Sequence, residues 1–249
     1  MRSLALIAAL VVGLALALPV HCLAATSLTT RNGVVWGNAF LFGDFEDQGA
    51  SGSDADGYSE TGGSFAGTAM SFVSFGAIHA RAQADVVSGN YDRQIANSSA
   101  RFKDTFLFTG GSGVGQAVFT FTVSGSVNPL SADADGSLFV NEGEFANFKT
   151  GGTYSSFPID FLFGSPIELT FGLGAVVRFL GMGSTNSATA DFGSTATLTG
   201  IQVYQGGDSV PFELSAESGT VYPLTVVPEP VAALFALLAL PALALRRRR

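Results

Sequence analysis

The chain has little of the chemistry that most catalytic and metal sites require: one cysteine, two histidines and one tryptophan among 249 residues. A single cysteine, Cys22, forms no internal disulfide and cannot by itself build a thiolate zinc site. The histidines are His21 and His79. His21 lies in the N-terminal segment, so the rest of the chain has one imidazole, which is too few for a histidine-based zinc site. No Gly-x-Ser-x-Gly sequence accompanies them for nucleophilic catalysis. We therefore interpret His79 as a solvated residue and predict no cofactor that depends on cysteine or histidine.

Basic residues are also scarce, with 12 lysines and arginines against 20 acids and a net charge of −8. Arg2, Glu229 and the four arginines 246–249 lie in the terminal segments. The chain between those segments therefore has seven basic and 19 acidic residues, and its net charge is 7 − 19 = −12. An acidic surface repels nucleic acid and anionic lipid and attracts cations. We expect no nucleic-acid partner.

The N-terminal segment has the three parts of a secretory signal peptide. Arg2 precedes an apolar run from Leu4 to Leu18, and small residues follow at Ala24 and Ala25. Cleavage after Ala24 or after Ala25 fits this pattern, and we place the signal peptide at residues 1–24, with signal peptidase as the processing partner. A lipoprotein signal through Cys22 is disfavoured, because His21 occupies a position that needs a small residue.

The C-terminal segment, residues 227–249, has three parts in a fixed order. A proline-rich motif comes first, then 15 apolar residues from Val231 to Leu245, then four arginines. A 15-residue helix is roughly 22 Å long, shorter than the roughly 30 Å hydrocarbon core, so it spans only with bilayer thinning and snorkelling arginines. The arginines favour the cytoplasmic side. The motif consists of Pro228, Glu229 and Pro230, and the membrane stop of Arg246, Arg247, Arg248 and Arg249.

This order resembles the PEP-CTERM sorting signal of exosortase substrates in Gram-negative bacteria. The resemblance covers less than a tenth of the chain. It implies export through the inner membrane, transient insertion of the C-terminal helix, exosortase processing, and a final place at the cell surface or outside the cell. It also implies association with exopolysaccharide. The alternative is an ordinary C-terminal membrane anchor with a proline-rich stalk.

The middle of the chain, residues 25–226, predicts strands. Apolar and polar residues alternate from Ile78 to Val86 and again from Ala117 to Val123. Further alternating runs cover 157–163, 167–179 and 188–203, and Gly200 shifts the phase as a bulge does. Glycine-rich turns separate these runs, with 43–63 as a long polar loop. The pattern predicts an all-β, antiparallel β-sandwich, jelly-roll-like, flanked by a signal-peptide helix and a hydrophobic C-terminal helix.

One acidic segment has the spacing of a calcium loop. Asp-Ala-Asp-Gly occurs at 54–57 and at 133–136, and the second copy follows the twelve-residue pattern with an acid six residues past its glycine. Position one is serine where the EF-hand pattern has aspartate. The simpler interpretation is a tight turn. The predicted calcium ligands are Ser131, Asp133, Asp135 and Glu142.

Paired carboxylates raise the possibility of a glycosidase, which needs only two acids. Glu142 and Glu144 are two residues apart, and Asp44, Glu46 and Asp47 cluster in the first polar loop. An acidic chain contains such pairs by chance, and few tryptophans and tyrosines are present to stack sugars. We therefore predict a non-catalytic surface or extracellular-matrix protein. The alternatives are a calcium-dependent carbohydrate-binding module and, third, a β-sandwich hydrolase.

Overall fold

The computed structural model describes residues 26–36, 39–45, 53–62, 65–86, 94–129, 133–179 and 186–225. These residues form fifteen strands and no helix. The strands are β1 (Ser27–Trp36), β2 (Ala39–Phe45), β3 (Ser53–Gly62), β4 (Phe65–Ser74), β5 (Ala77–Val86), β6 (Gln94–Thr109), β7 (Val114–Pro129), β8 (Asp133–Val140), β9 (Gly143–Phe148), β10 (Thr150–Ser155), β11 (Ile159–Leu162), β12 (Pro166–Phe179), β13 (Asn186–Gln205), β14 (Asp208–Ser209) and β15 (Glu213–Ala216).

The strands form two antiparallel sheets. Sheet 1 has seven strands in the order β2-β1-β6-β12-β8-β9, with β15 paired to β6. Sheet 2 has eight strands in the order β10-β7-β13-β5-β4-β3, with β11 paired to β7 and β14 to β13. The predicted all-β, antiparallel fold is confirmed for these residues. The predicted terminal helices and the sorting motif lie outside the described residues, and within those residues no helix has the length and apolarity to cross a membrane.

A phenylalanine core joins the two sheets. Because strand side chains alternate between faces, every second residue of β6, β7 and β12 points inward. Phe106 of sheet 1 meets Phe119 of sheet 2 with ring centroids 5.6 Å apart, and Phe171 meets Phe121 at 5.5 Å. The fully buried phenylalanines are Phe102, Phe106, Phe108, Phe119, Phe121, Phe171 and Phe192. The arrangement is sandwich-like, with a single core between the inner faces.

Alternation predicted the central strands well. The run from Ile78 to Val86 is β5, the run from Ala117 to Val123 lies in β7, and the runs between 167 and 179 form the single strand β12. The predicted bulge at Gly200 is confirmed, because the register of β13 against β7 shifts between Leu198 and Gly200.

Glycine and aspartate misled the prediction at several places. The pair Gly151-Gly152, one of the glycine-rich segments that the sequence predicts as turns, lies in β10, where the register against β7 shifts as in a bulge. The predicted polar loop 43–63 contains the end of β2 and all of β3. Both Asp-Ala-Asp-Gly segments, predicted as loops, lie in strands β3 and β8. Cross-strand pairing overrides local turn propensity at each of them.

A C-terminal strap, residues 217–225, closes one side of the sandwich around a buried carboxylate. Asp104 of β6 is fully buried and accepts hydrogen bonds from the Tyr222 hydroxyl at 2.7 Å and the Ser218 hydroxyl at 2.5 Å. It also accepts from the backbone N–H groups of Ser218 at 3.1 Å and Thr105 at 2.8 Å. Burial and the neighbouring Asp104 raise the pKa of Tyr222 far above its ordinary value of 10.0, so the phenol stays protonated as the donor.

The strap links the two sheets. The backbone N–H of Glu217 donates to Thr105 of sheet 1 at 3.0 Å, and that of Thr225 donates to Ile201 of sheet 2 at 2.9 Å. Between them the Tyr222 ring packs on Phe102 and Phe106, with centroids 6.4 and 5.2 Å away. The folded sandwich therefore extends to residue 225.

Candidate functional site

A groove crosses the outward face of sheet 1 and holds about 440 Å³. Its floor is made of small residues on three neighbouring strands: Ser99 of β6, Gly174 of β12 and Ser137 of β8. These residues are paired in register, since Gly174 lies opposite both Ser99 and Ser137. The volume falls within the roughly 300–1,000 Å³ of typical ligand pockets. We call this feature the outer groove.

The outer groove exists because β12 carries glycine where its outward positions would otherwise carry side chains. Its inward residues Leu169, Phe171, Leu173, Ala175 and Val177 are buried, while Gly172 and Gly174 occupy outward positions between them. Glycine in the interior of a central strand weakens the strand and marks a place where another group approaches the backbone closely. A Cβ added at Gly174 would meet only the Phe139 ring, at 3.5 Å.

Three arginines line the outer groove: Arg31 of β1, Arg101 of β6 and Arg178 of β12. They are three of the seven basic residues between the two terminal segments. The Arg101 stem lies across Gly172, with its Cγ 3.0 Å from where a Cβ there would stand. Within the described residues the Arg101 guanidinium forms no hydrogen bond or ion pair. Arg178 donates from one guanidinium nitrogen to the Asp135 carboxylate at 3.2 Å.

The opposite wall of the outer groove contains an aromatic ring and a carboxylate. Phe139 of β8 pairs in register with Gly172 and with Glu144 of β9, so the half-buried ring stands beside the glycine floor. Glu144 is exposed. The groove thus combines three guanidinium groups, two carboxylates and one aromatic face in a chain that is otherwise strongly acidic. This combination can hold a polar ligand through charge-assisted hydrogen bonds and ring contact.

The outward face of sheet 2 has a different chemistry. Neighbouring strands there present threonine and serine hydroxyls that bond one another: Thr122 with Thr199 at 3.1 Å, and Thr120 with Ser155 at 3.1 Å. The Arg81 guanidinium on this face lies 3.5 Å from the Asp191 carboxylate. These polar groups therefore have partners within the sheet.

The predicted calcium ligands are spread along β8. Asp133 to Val140 form an extended strand, so about 17 Å of chain separates Asp135 from Val140, with Glu142 in the turn beyond. The Asp135 carboxylate faces Arg178, and Ser131 lies outside the described residues. In the described part of the chain no three histidine, cysteine, aspartate or glutamate side chains converge as a metal site would require. The calcium site stays a prediction.

The other residues weighed for catalysis are dispersed. His79 is half-buried on the outward face of β5 and meets the Phe72 ring edge-on at 5.1 Å. Glu142 lies in the turn after β8 and Glu144 on β9. Asp44 lies in β2, while residues 46 and 47 lie outside the described residues. Asp135 and Glu144 share the outer groove, but the register places their Cα atoms about 14 Å apart.

Sequence reasoning missed the outer groove, although one signal was present. Gly172 and Gly174 break the outward half of an otherwise regular alternation, and an arginine follows four residues later. Arg31 and Arg101 could not be added from the sequence, since only the pairing of β1, β6 and β12 brings them to this floor.

A smaller hollow of about 300 Å³ lies between β15 and the strap. Its apolar rim includes Val221, which is 94% exposed, and Leu224. It contains no charged side chain among its lining residues. The outer groove is therefore the better candidate for a functional site.

Comparison with known proteins assigns no family to the chain. No family model matches the sequence, and no curated protein matches it either.

Proposed function

We propose that this protein is exported, processed by an exosortase at its C-terminal segment, and acts without catalysis as a component of the cell surface or extracellular matrix. The sorting half of the proposal is supported by the Pro-Glu-Pro motif, the short apolar run and the terminal arginines. The strap adds support, because the described contacts of the sandwich reach residue 225 and the motif follows in the sequence at 228–230. A processing enzyme at the membrane would meet the motif directly beside the folded domain.

We also propose that the sandwich has jelly-roll topology. Eight strands carry the argument: β5-β13-β7-β10 are adjacent in sheet 2, and β6-β12-β8-β9 are adjacent in sheet 1. Along the chain, β5 to β8 alternate between the two sheets. Later in the chain, β12 inserts between β6 and β8 in sheet 1, and β13 inserts between β5 and β7 in sheet 2. This order is that of two interlocked Greek keys, with β1, β2, β3 and β4 extending the edges.

The outer groove is the observation that supports a contact function, and its proposed ligand is a glycan of the surrounding polysaccharide. The groove lies on the outward face of a sheet, where a polymer can reach it. Phe139 offers an apolar face to a sugar ring, while arginines and serines offer donors to its oxygens.

Sorting is tested by intact mass and cell fractionation, in strains with and without the exosortase. We expect a species lacking Arg246–Arg249 outside the inner membrane only when the exosortase is present. Glu229→Ala should block that processing, while Glu217→Ala, which removes an exposed acid of the strap, should not. A full-length chain in the inner membrane of both strains would mean that the C-terminal segment is an ordinary membrane anchor and not a sorting signal.

The contact function is tested by co-sedimentation of the isolated protein with exopolysaccharide from the same cells. Binding without release of new reducing ends supports a non-catalytic role, and release of reducing ends would support the hydrolase instead. Repeating the assay with a chelator tests the calcium-dependent alternative, in which binding and thermal stability fall together when calcium is removed.

A further inference from the structure

We infer that the outer groove recognises an acidic polysaccharide, a polymer whose repeating carboxylates pair with Arg31, Arg101 and Arg178. The inference rests on the proposed contact function and adds the class of its ligand. Its starting point is the contrast between a chain whose central part has a net charge of 7 − 19 = −12 and a groove lined by three of its seven basic residues. An acidic protein that binds an acidic polymer needs a local concentration of basic side chains at the binding site.

Arg101 carries the strongest part of the argument. It is exposed, its stem packs over Gly172, and within the described residues its guanidinium has no polar partner. The packed stem restricts the side chain before a ligand arrives, which lowers the entropy lost on binding. Guanidinium groups match carboxylates and phosphates with two parallel hydrogen bonds, so an acidic group on the ligand fits this position, and our inference commits to the carboxylate.

The spacing of the three arginines favours a polymer over a small anion. Arg31 pairs with Ser99, two residues from Arg101, so their Cα atoms are about 8 Å apart. Arg178 pairs with Ile95, six residues from Arg101, which places it about 20 Å along the groove. One small carboxylate cannot reach all three positions. A chain with acidic groups at intervals can.

The floor sets the shape of the ligand. Gly174, Ser99 and Ser137 form the floor, and Arg101 and Phe139 are among the residues that line its sides. The Cα atoms of Ser99 and Ser137 are two strand spacings, about 10 Å, apart, and Gly174 between them has no side chain, so one polysaccharide chain can lie on this floor. The sugar ring would lie against Phe139 while its carboxylate turns towards the arginines.

The test uses the protein isolated from its cells and two matched polymers, polygalacturonate and the same polymer after chemical reduction of its carboxylates. We expect binding to polygalacturonate that weakens about tenfold or more after carboxyl reduction, and that also weakens as salt rises towards about 0.15 M. Arg101→Gln should weaken binding by about tenfold or more. Arg81→Gln removes the same charge from the outward face of sheet 2 and should leave binding unchanged.

Gly174→Val provides a second variant that does not alter charge. It fills the floor of the outer groove and should weaken binding to polygalacturonate without altering the circular dichroism spectrum of the fold. Equal binding of both polymers by wild type, or unchanged binding in both groove variants, would overturn the acidic ligand while leaving glycan contact intact. Binding to neither polymer nor to the native exopolysaccharide would overturn both. Equal binding to single-stranded DNA would also overturn the inference, because the groove would then be a general polyanion site.

Discussion

Asp104 and Arg101 are three residues apart on β6, so their side chains lie on opposite faces of sheet 1 and in different environments. Asp104 points inward, is fully buried and accepts four hydrogen bonds from the protein itself. Arg101 points outward, lies over a glycine and has no polar partner among the described residues. A buried polar group must be compensated by the fold, whereas an exposed charge at the rim of a groove is accessible to a ligand.

The difference separates stability from function along a single strand. Disrupting the Asp104 cluster should lower the free energy of unfolding without changing the affinity of the folded protein for its ligand. Altering the outer groove should weaken ligand binding without loss of stability. Each variant below is therefore judged by its free energy of unfolding in urea and by its affinity for polygalacturonate.

Asp104→Ala should have the largest effect on stability. It removes the acceptor of four donors and leaves the Tyr222 and Ser218 hydroxyls buried without it, so we expect a loss of about 3 to 5 kcal/mol. Asp160→Ala, at an exposed acid of β11, is the control and should change stability by about 0.5 kcal/mol or less. Similar losses in both variants would mean that the Asp104 cluster does not hold the strap.

Tyr222→Phe should have an intermediate effect. The substitution keeps the ring stacked on Phe102 and Phe106 but removes one hydrogen bond to a buried carboxylate, and we expect a loss of about 1.5 to 3 kcal/mol. Polygalacturonate affinity of the folded protein should stay at the wild-type value. A loss of affinity in this variant would show that the strap and the outer groove are coupled.

The raised pKa of Tyr222 predicts that the free energy of unfolding depends on pH. Its pKa is raised in the folded state, so above pH 10 the unfolded chain releases a proton that the folded chain retains. The free energy of unfolding should therefore fall as the pH rises above 10.0, and should be insensitive to this group below it. Tyr222→Phe should reduce that slope. A slope identical to that of wild type would show that Tyr222 does not govern it.

Gly174→Val, unlike the variants of the Asp104 cluster, should affect ligand affinity rather than lower stability. Valine favours an extended strand, and a Cβ here meets the Phe139 ring at an ordinary distance, so we expect stability to stay constant or rise by up to about 1 kcal/mol. Its affinity should nevertheless fall. A variant that gains stability and keeps full affinity would indicate that the glycine floor serves no ligand.

Arg101→Gln should have the smallest effect on stability, about 0.5 kcal/mol or less, because its guanidinium forms no hydrogen bond or ion pair with the described residues that glutamine would remove. The expected result is a normal urea midpoint combined with about tenfold weaker polygalacturonate binding. A marked loss of stability would instead assign the residue a structural role through its packing on Gly172.

The sequence predicted the strands and the phenylalanine core, but it did not predict the outer groove or the Asp104 cluster. Alternation around Phe119, Phe121 and Phe171 predicted both strands and core, because burial on one face imposes a period of two. The outer groove depends on pairing between β1, β6, β12 and β8, which are distant in the chain, so local patterns could not reveal it. For the same reason Asp133 and Asp135 were predicted to lie in a loop, although they lie in β8, which pairs with β12. The inward Asp104 was not singled out either, since its partners lie 114 and 118 residues away.

The most direct test of the central claim is amide chemical-shift mapping of the isolated protein with an oligogalacturonate. The account predicts that the perturbed amides cluster on the outward face of sheet 1, around Ser99, Gly172, Gly174 and Ser137, and that sheet 2 around Thr122 and Thr199 stays unchanged. Perturbations centred on sheet 2, or none at all while the polymer still binds, would contradict the assignment of the outer groove as the contact surface.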